Sequence, residues 1–146
     1  MSVFAYDPYV SNFDEWVTVC TSLEQLVSEV DIVLPSVHLN DETRLMMNND
    51  IFSLMKNGSY FINTSRGDIV DENALIDHLE SGRIKSAALD VMSNELEKLK
   101  MNKRVLEYAR SNDNLIITPH IAGLTLESET IAQKAAYQAV KSIIKK

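Results

Sequence analysis

The run Tyr60-Phe-Ile-Asn-Thr-Ser-Arg-Gly67 is an apolar segment of strand length that stops abruptly at a polar turn holding one arginine. The design recurs in Ser86-Ala-Ala-Leu-Asp-Val91 and in Asn114-Leu-Ile-Ile-Thr-Pro-His120. Short apolar runs rich in Val, Ile, Leu and Ala, separated by segments of helical period, constrain a chain to a parallel sheet covered on both faces by helices. Sheets of that kind bind ligands outside the carboxyl ends of their strands. Polar residues at those ends, here Asp7, Ser36, Arg66, Asp90 and His120, carry more functional weight than polar residues on helices. Arg, Asp and His at the tips of the quoted segments point to a shared crevice, in which a fixed cation would hold an anionic substrate.

The remaining elements follow from local signals. Val3 to Tyr6 reads as a strand ended by Asp7-Pro8, because proline removes a ladder donor. Trp16 to Cys20 reads as a short second strand. Ser22-Leu-Glu-Gln25 has capping-box spacing, so a helix is expected from there to about Val30. Asp31 to Leu34 is the next strand, stopped by Pro35. Glu42 to Met55 reads as a helix closing at the turn Asn57-Gly58, with Met46, Met47 and Met55 as helix packing. Asp71 is the cap of a helix that carries Ala74, Leu75 and Leu79 on one face and ends at Gly82. A charged helix around Arg104 to Arg110 and a long amphipathic helix from about Glu127 to Ile144 complete the pattern. Cys20 reads as a small core residue, and His38 and His78 as structural or exposed.

Composition sets the outer bounds. At 146 residues the chain fits one domain with a proper core, and 45% hydrophobic with 24% charged residues is ordinary for a globular protein. A formal charge of −7 argues against nucleic acid as a partner, since phosphate binding needs a basic face. One cysteine excludes an internal disulfide and fits a reducing compartment. No apolar stretch reaches the ~20 residues that cross a bilayer, and the amino terminus has no signal-peptide pattern. A cytoplasmic location is therefore expected, with no membrane partner.

With those strand tips in view, the chain resembles the nucleotide-binding domain of the D-2-hydroxyacid dehydrogenase family, near its phosphoglycerate dehydrogenase branch. The matching segments are Ala5-Tyr-Asp-Pro8, Asp41-Glu-Thr-Arg44, Asn63-Thr-Ser-Arg-Gly67, Asp68-Ile-Val-Asp-Glu72, Ala88-Leu-Asp-Val91 and Pro119-His-Ile-Ala-Gly123, in family order and at family spacing. The resemblance implies a Rossmann-like doubly wound parallel sheet and residues 1–146 as a partial NAD-binding domain, with the substrate domain absent. There is no G-x-G-x-x-G; the chain opens where the family's second strand begins, so the first strand and the glycine-rich turn are lacking. In the order 3-2-1-4-5-6 that strand is central. The strands at Val3 and Trp16 should then have no neighbour joining them to the strand at Asp31, unless the sheet is rearranged or a strand is supplied from elsewhere. Two local departures accompany this: Ser36 and His38 stand where the family commonly has His and Pro, and Leu96, not proline, follows Glu95.

The resemblance implies an NAD-dependent oxidoreductase acting on the CH–OH group of a 2-hydroxy acid, most similar to D-3-phosphoglycerate dehydrogenase, and a homodimer. It places the catalytic arginine, glutamate and histidine on Arg66, Glu95 and His120. The cofactor-binding positions fall on Asp7, Val37, Thr64, Ser65, Asp90, Ala122 and Gly123; no metal site is implied. In that scheme His120 is the general acid/base, Glu95 fixes its tautomer, and Arg66 binds the substrate carboxylate. Asp7 accepts from the adenosine ribose hydroxyls, which favours NAD over NADP. The alternative is a non-catalytic truncated nucleotide-binding or interaction module, supported by the missing glycine-rich turn. A flavodoxin-like or receiver domain would need an early acidic cluster or a phosphate loop, and neither is present.

Overall fold

The computed structural model describes residues 1–97 and 99–144. Its strands fall into two parallel sheets. The first pairs β1 (Val3–Ala5) with β2 (Val17–Val19), Phe4 lying opposite Thr18. The second holds β3 (Ile32–Val33), β4 (Ser59–Asn63), β5 (Ile84–Leu89) and β6 (Leu115–Ile117) in the order β3-β4-β5-β6. No ladder joins the two sheets among the described residues, as the absence of a central strand predicts. Between them lies an apolar channel of about 280 Å³, lined by Phe4, Leu23, Leu26, Val33 and Met47, with Asp7 and Ser36 also on its wall.

Local chemistry explains the helices. In α1 (Leu23–Glu29) the Ser22 hydroxyl accepts from the Gln25 N–H, and the Gln25 carboxamide reaches back to accept from the Thr21 N–H. In α3 (Glu72–Glu80) the Asp71 carboxylate accepts from the Asn73 and Ala74 N–H groups, and Gly82, at φ +75°, turns the chain out of it. α4 (Lys103–Ser111) is capped by Asn102. α5 (Leu126–Ile144) is long, and none of its residues is buried.

The helix expected over Glu42 to Met55 is not formed as such; only α2 (Asn49–Leu54) is helical. Residues ahead of it run beside the segment after β4: Leu45 and Met47 donate to the Asp68 and Ile69 carbonyls, and the Asp71 N–H donates back to Met47. Arg44 pairs with Asp68 at 2.8 Å, and Leu45 takes φ +53°, a left-handed turn no helix can contain. The Asn48 side chain then caps α2 by accepting from the Ile51 N–H. Met47 and Met55 are core residues all the same.

The core lies on one face of the larger sheet. Phe61, Ala87 and Leu115 are in register across β4, β5 and β6 and all are buried. Their neighbours Ile62, Ala88 and Ile116 form the opposite row, and Ile116 is 62% exposed. Within this chain the sheet is therefore covered on one face, not on the two that its apolar strands suggest. Phe52 of α2 meets Phe61 edge to face at 5.2 Å, and His78 packs against Phe52 with its Nε2 3.1 Å from the Asn49 side-chain oxygen. Cys20 is buried, which pushes its thiol above the ordinary range. Among the described residues no helix is long and apolar enough to cross a membrane.

Candidate active site

β4 ends on Asn63, whose side chain is fully buried. Its amide nitrogen donates to the Arg66 carbonyl at 2.9 Å and its oxygen accepts from the Ser65 N–H at 3.0 Å, so the turn after the strand is held from beneath. The Ser65 hydroxyl donates to the Pro35 carbonyl at 2.8 Å, fastening the end of β3 to the end of β4. Arg66 is left exposed, with one guanidinium nitrogen donating to the Ser65 carbonyl. It forms no ion pair with any described residue. It lines a cleft of about 290 Å³ with Ser36, Val37, His38, Leu39 and Ser65.

The ends of β5 and β6 are knotted together by Asp90. One carboxylate oxygen accepts from the Thr118 hydroxyl at 2.5 Å and the Ile121 N–H at 2.9 Å; the other accepts from the Ala122 N–H at 2.9 Å. Burial acts to raise this carboxyl's pKa, but the hydroxyl and the two N–H groups outweigh it and hold it below the ordinary aspartate value. The His120 N–H donates to the Asp90 carbonyl at 2.8 Å, and His120 sits at φ +55°, a left-handed turn that redirects the chain after β6.

The imidazole meets a carboxylate there. His120 Nδ1 is 2.6 Å from Glu95 Oε1. An ionised carboxylate only accepts, so the proton of this bond sits on Nδ1, and Nε2 is the nitrogen left for other chemistry. The side chains are 48% and 28% exposed, so the pair is reachable from solvent. The other Glu95 oxygen accepts from the Met92 N–H at 3.3 Å, and Asn94, at φ +57°, forms the bend that returns Glu95 toward the strand end.

Arg66, Glu95 and His120 thus follow three adjacent strands, β4, β5 and β6. Glu95 and His120 are bonded to each other; Arg66 is on the same rim but bonded to neither. Asp90 lies buried under the His120 turn with both oxygens engaged. Asp7 is exposed after β1, on the other sheet, where one oxygen accepts from the Tyr9 N–H at 2.8 Å. Val37 is half-buried in the cleft wall; Thr64, Ala122 and Gly123 are exposed on the rim. For a dinucleotide, the residues present offer a carboxylate for ribose hydroxyls, an apolar wall at Val37 and a polar strand rim; no glycine-rich phosphate turn is among them.

Asn63, Gly67 and Glu72 carry roles that the expected site residues do not include. The signal for Asn63 was a polar residue in the buried phase of a strand, two positions after Phe61. For Glu72 and Gly67 no periodicity carries the signal, because their partner, the Met92–Ser93 peptide, is distant in sequence.

The model of the "D-isomer specific 2-hydroxyacid dehydrogenase, NAD binding domain" family matches residues 1–122. A dehydrogenase of Hormonema carpetanum, efuE, is 41% identical over 125 residues, 86% of this chain and 30% of that protein. The D-3-phosphoglycerate dehydrogenase of Haemophilus influenzae is 37% identical over 121 residues, 82% of this chain and 29% of that protein. The crystal structure of D-lactate dehydrogenase from Aquifex aeolicus, complexed with NAD and lactic acid, superposes with a TM-score of 0.81 at 34% identity, covering 99% of this chain and 46% of that one. The chain spans less than half the length of each.

Proposed function

The chain belongs to the D-isomer specific 2-hydroxyacid dehydrogenase family, through its NAD-binding domain, and on that premise we propose that it is the greater part of this domain in an NAD-dependent oxidoreductase acting at C2 of a small 2-hydroxy acid. The observation that carries the reading is the 2.6 Å Glu95–His120 bond on the strand rim that also holds Arg66, which has no ion-pair partner among the described residues. When bound, NAD supplies the hydride acceptor or donor. The chain's own residues do the rest. Arg66 binds the substrate carboxylate, as a planar guanidinium suits. His120, with Nδ1 occupied by Glu95, takes the proton from the 2-hydroxyl on Nε2, or returns it to the 2-oxo group in reduction. Asp7 accepts from the adenosine ribose hydroxyls and disfavours a 2′-phosphate there. Val37, Thr64, Ser65, Ala122 and Gly123 line the dinucleotide, and Asp90 holds the turn beneath it.

Among substrates, 3-phosphoglycerate heads the proposal, supported by the Haemophilus influenzae relative. The substrate domain lies outside these 146 residues in this reading, and the assembly is a cytoplasmic homodimer. The test is turnover of 3-phosphoglycerate, lactate and glyoxylate with NAD(H) by the protein that carries this chain together with a substrate domain. We expect His120→Ala to abolish turnover; full activity in that variant would end the assignment. A second reading, a non-catalytic nucleotide-binding or interaction module, is favoured by the missing glycine-rich turn and the open channel between the sheets. Calorimetry of the 146-residue chain with NADH addresses it: weak or no binding is expected, and micromolar binding would mean that the cofactor site survives without its phosphate cradle.

A further inference from the structure

Glu72 is a buried carboxylate with no part in the chemistry proposed above. It is 6% exposed, at the first position of α3, and its Oε1 accepts from the Ser93 N–H at 2.7 Å. The same peptide is pressed from another side by Gly67. A Cβ on Gly67 would lie 2.0 Å from the Met92 carbonyl carbon and 2.2 Å from the Ser93 nitrogen, so only glycine permits the approach. Met92–Ser93 opens the loop that turns at Asn94 and delivers Glu95 to His120, and the Met92 N–H itself donates to Glu95. Gly67 adjoins Arg66 and Glu72 follows the cap of α3, so the segment bearing the rim cation also grips the loop bearing the carboxylate.

We infer that Glu72 is a positioning residue: with Gly67 it clamps the Met92–Ser93 peptide and so fixes Glu95 against Nδ1 of His120. The inference rests on the reading of His120 as acid/base, yet it concerns geometry that can be measured without turnover. Burial makes ionisation of Glu72 unfavourable, and the Ser93 N–H is the main group opposing that cost. A carboxylate retained at such a site has a bond to make, and here the bond holds a loop.

The experiment uses the whole ¹⁵N-labelled chain at a pH where His120 is neutral. Long-range ¹H–¹⁵N correlation reads which imidazole nitrogen carries the proton, and amide exchange reads the Ser93 bond. In the parent, the Nδ1–H form and a protected Ser93 amide are expected. Glu72→Gln keeps the length and the acceptor and should preserve both. Glu72→Asp keeps the charge but falls short of Ser93; it should release the Nδ1–H preference and speed Ser93 exchange about tenfold, the worth of one hydrogen bond. The amide pattern of β4 and β5 serves as the folding control. Retention of the Nδ1–H form in Glu72→Asp, or its loss in Glu72→Gln with the sheet intact, would overturn the inference. An unprotected Ser93 amide in the parent would do so without any variant. Failure of the dehydrogenase reading would show instead as turnover indifferent to His120, whatever the tautomer.

Discussion

Two buried carboxylates on this rim answer pH in opposite directions. Asp90 is held below its ordinary value by the Thr118 hydroxyl and the Ile121 and Ala122 N–H groups, which outweigh burial. Its folded pKa is depressed, so its contribution to stability is present above the unfolded value and lost as pH falls through the folded one. Asp90→Asn replaces an accepting oxygen with a donor, which should cost about 1–3 kcal/mol at neutral pH and flatten the acid limb of the stability curve. Urea denaturation at several pH values measures both. Glu72 is raised, by burial above all. Its contribution is complete below the unfolded value and declines as pH rises through the folded one. Glu72→Gln keeps an acceptor for Ser93 and removes the charge, so its stability relative to the parent should improve from acidic to neutral pH; a relative loss over that range would mean that the folded state favours the ionised carboxyl.

At the scale of elements, caps and strands behave differently. Asp71 accepts from two N–H groups at the start of α3, whose Ala74, Leu75, Ile76 and Leu79 are buried. Asp71→Ala should therefore cost about 1 kcal/mol of unfolding free energy, read from the midpoint of a denaturation curve with its slope unchanged. That cap was legible in the sequence, as were Ser22, Gly82 and the strand tips, because each is a local signal confined to a few residues. The helix expected from Glu42 failed because the pairing of Met47 with Ile69 and Asp71 is tertiary, and local propensity yields to it. The cluster Asn48-Asn49-Asp50 was the visible warning, since it sets a cap in the middle of the expected helix. Glu95 and His120 could be matched by motif, whereas the grip of Glu72 on Ser93 joins segments too far apart for any local pattern to report.

At the scale of the whole molecule, the described residues form two sheets that no strand among them unites. β1 and β2 form a two-stranded parallel pair, a type of sheet with marginal stability of its own. Val19 is 52% exposed, and the channel between this pair and β3 leaves both facing edges without ladder partners among the described residues. By contrast, β4 is flanked on both sides, and Phe61, at 0% exposed, lies against the Phe52 ring. Local opening should therefore cost far less at Val3–Val19 than at Ser59–Leu89. Hydrogen–deuterium exchange followed by mass spectrometry on the isolated chain should show the first segment exchanging fast and the second protected to near the global unfolding limit. In a protein where a further strand fills the channel, the first segment should slow toward the second, because its edges would then carry ladder bonds and its apolar wall would be covered. Equal protection of the two segments in the isolated chain would mean that β1 and β2 draw their stability from the rest of the fold without a joining strand, and that the channel is no structural deficit.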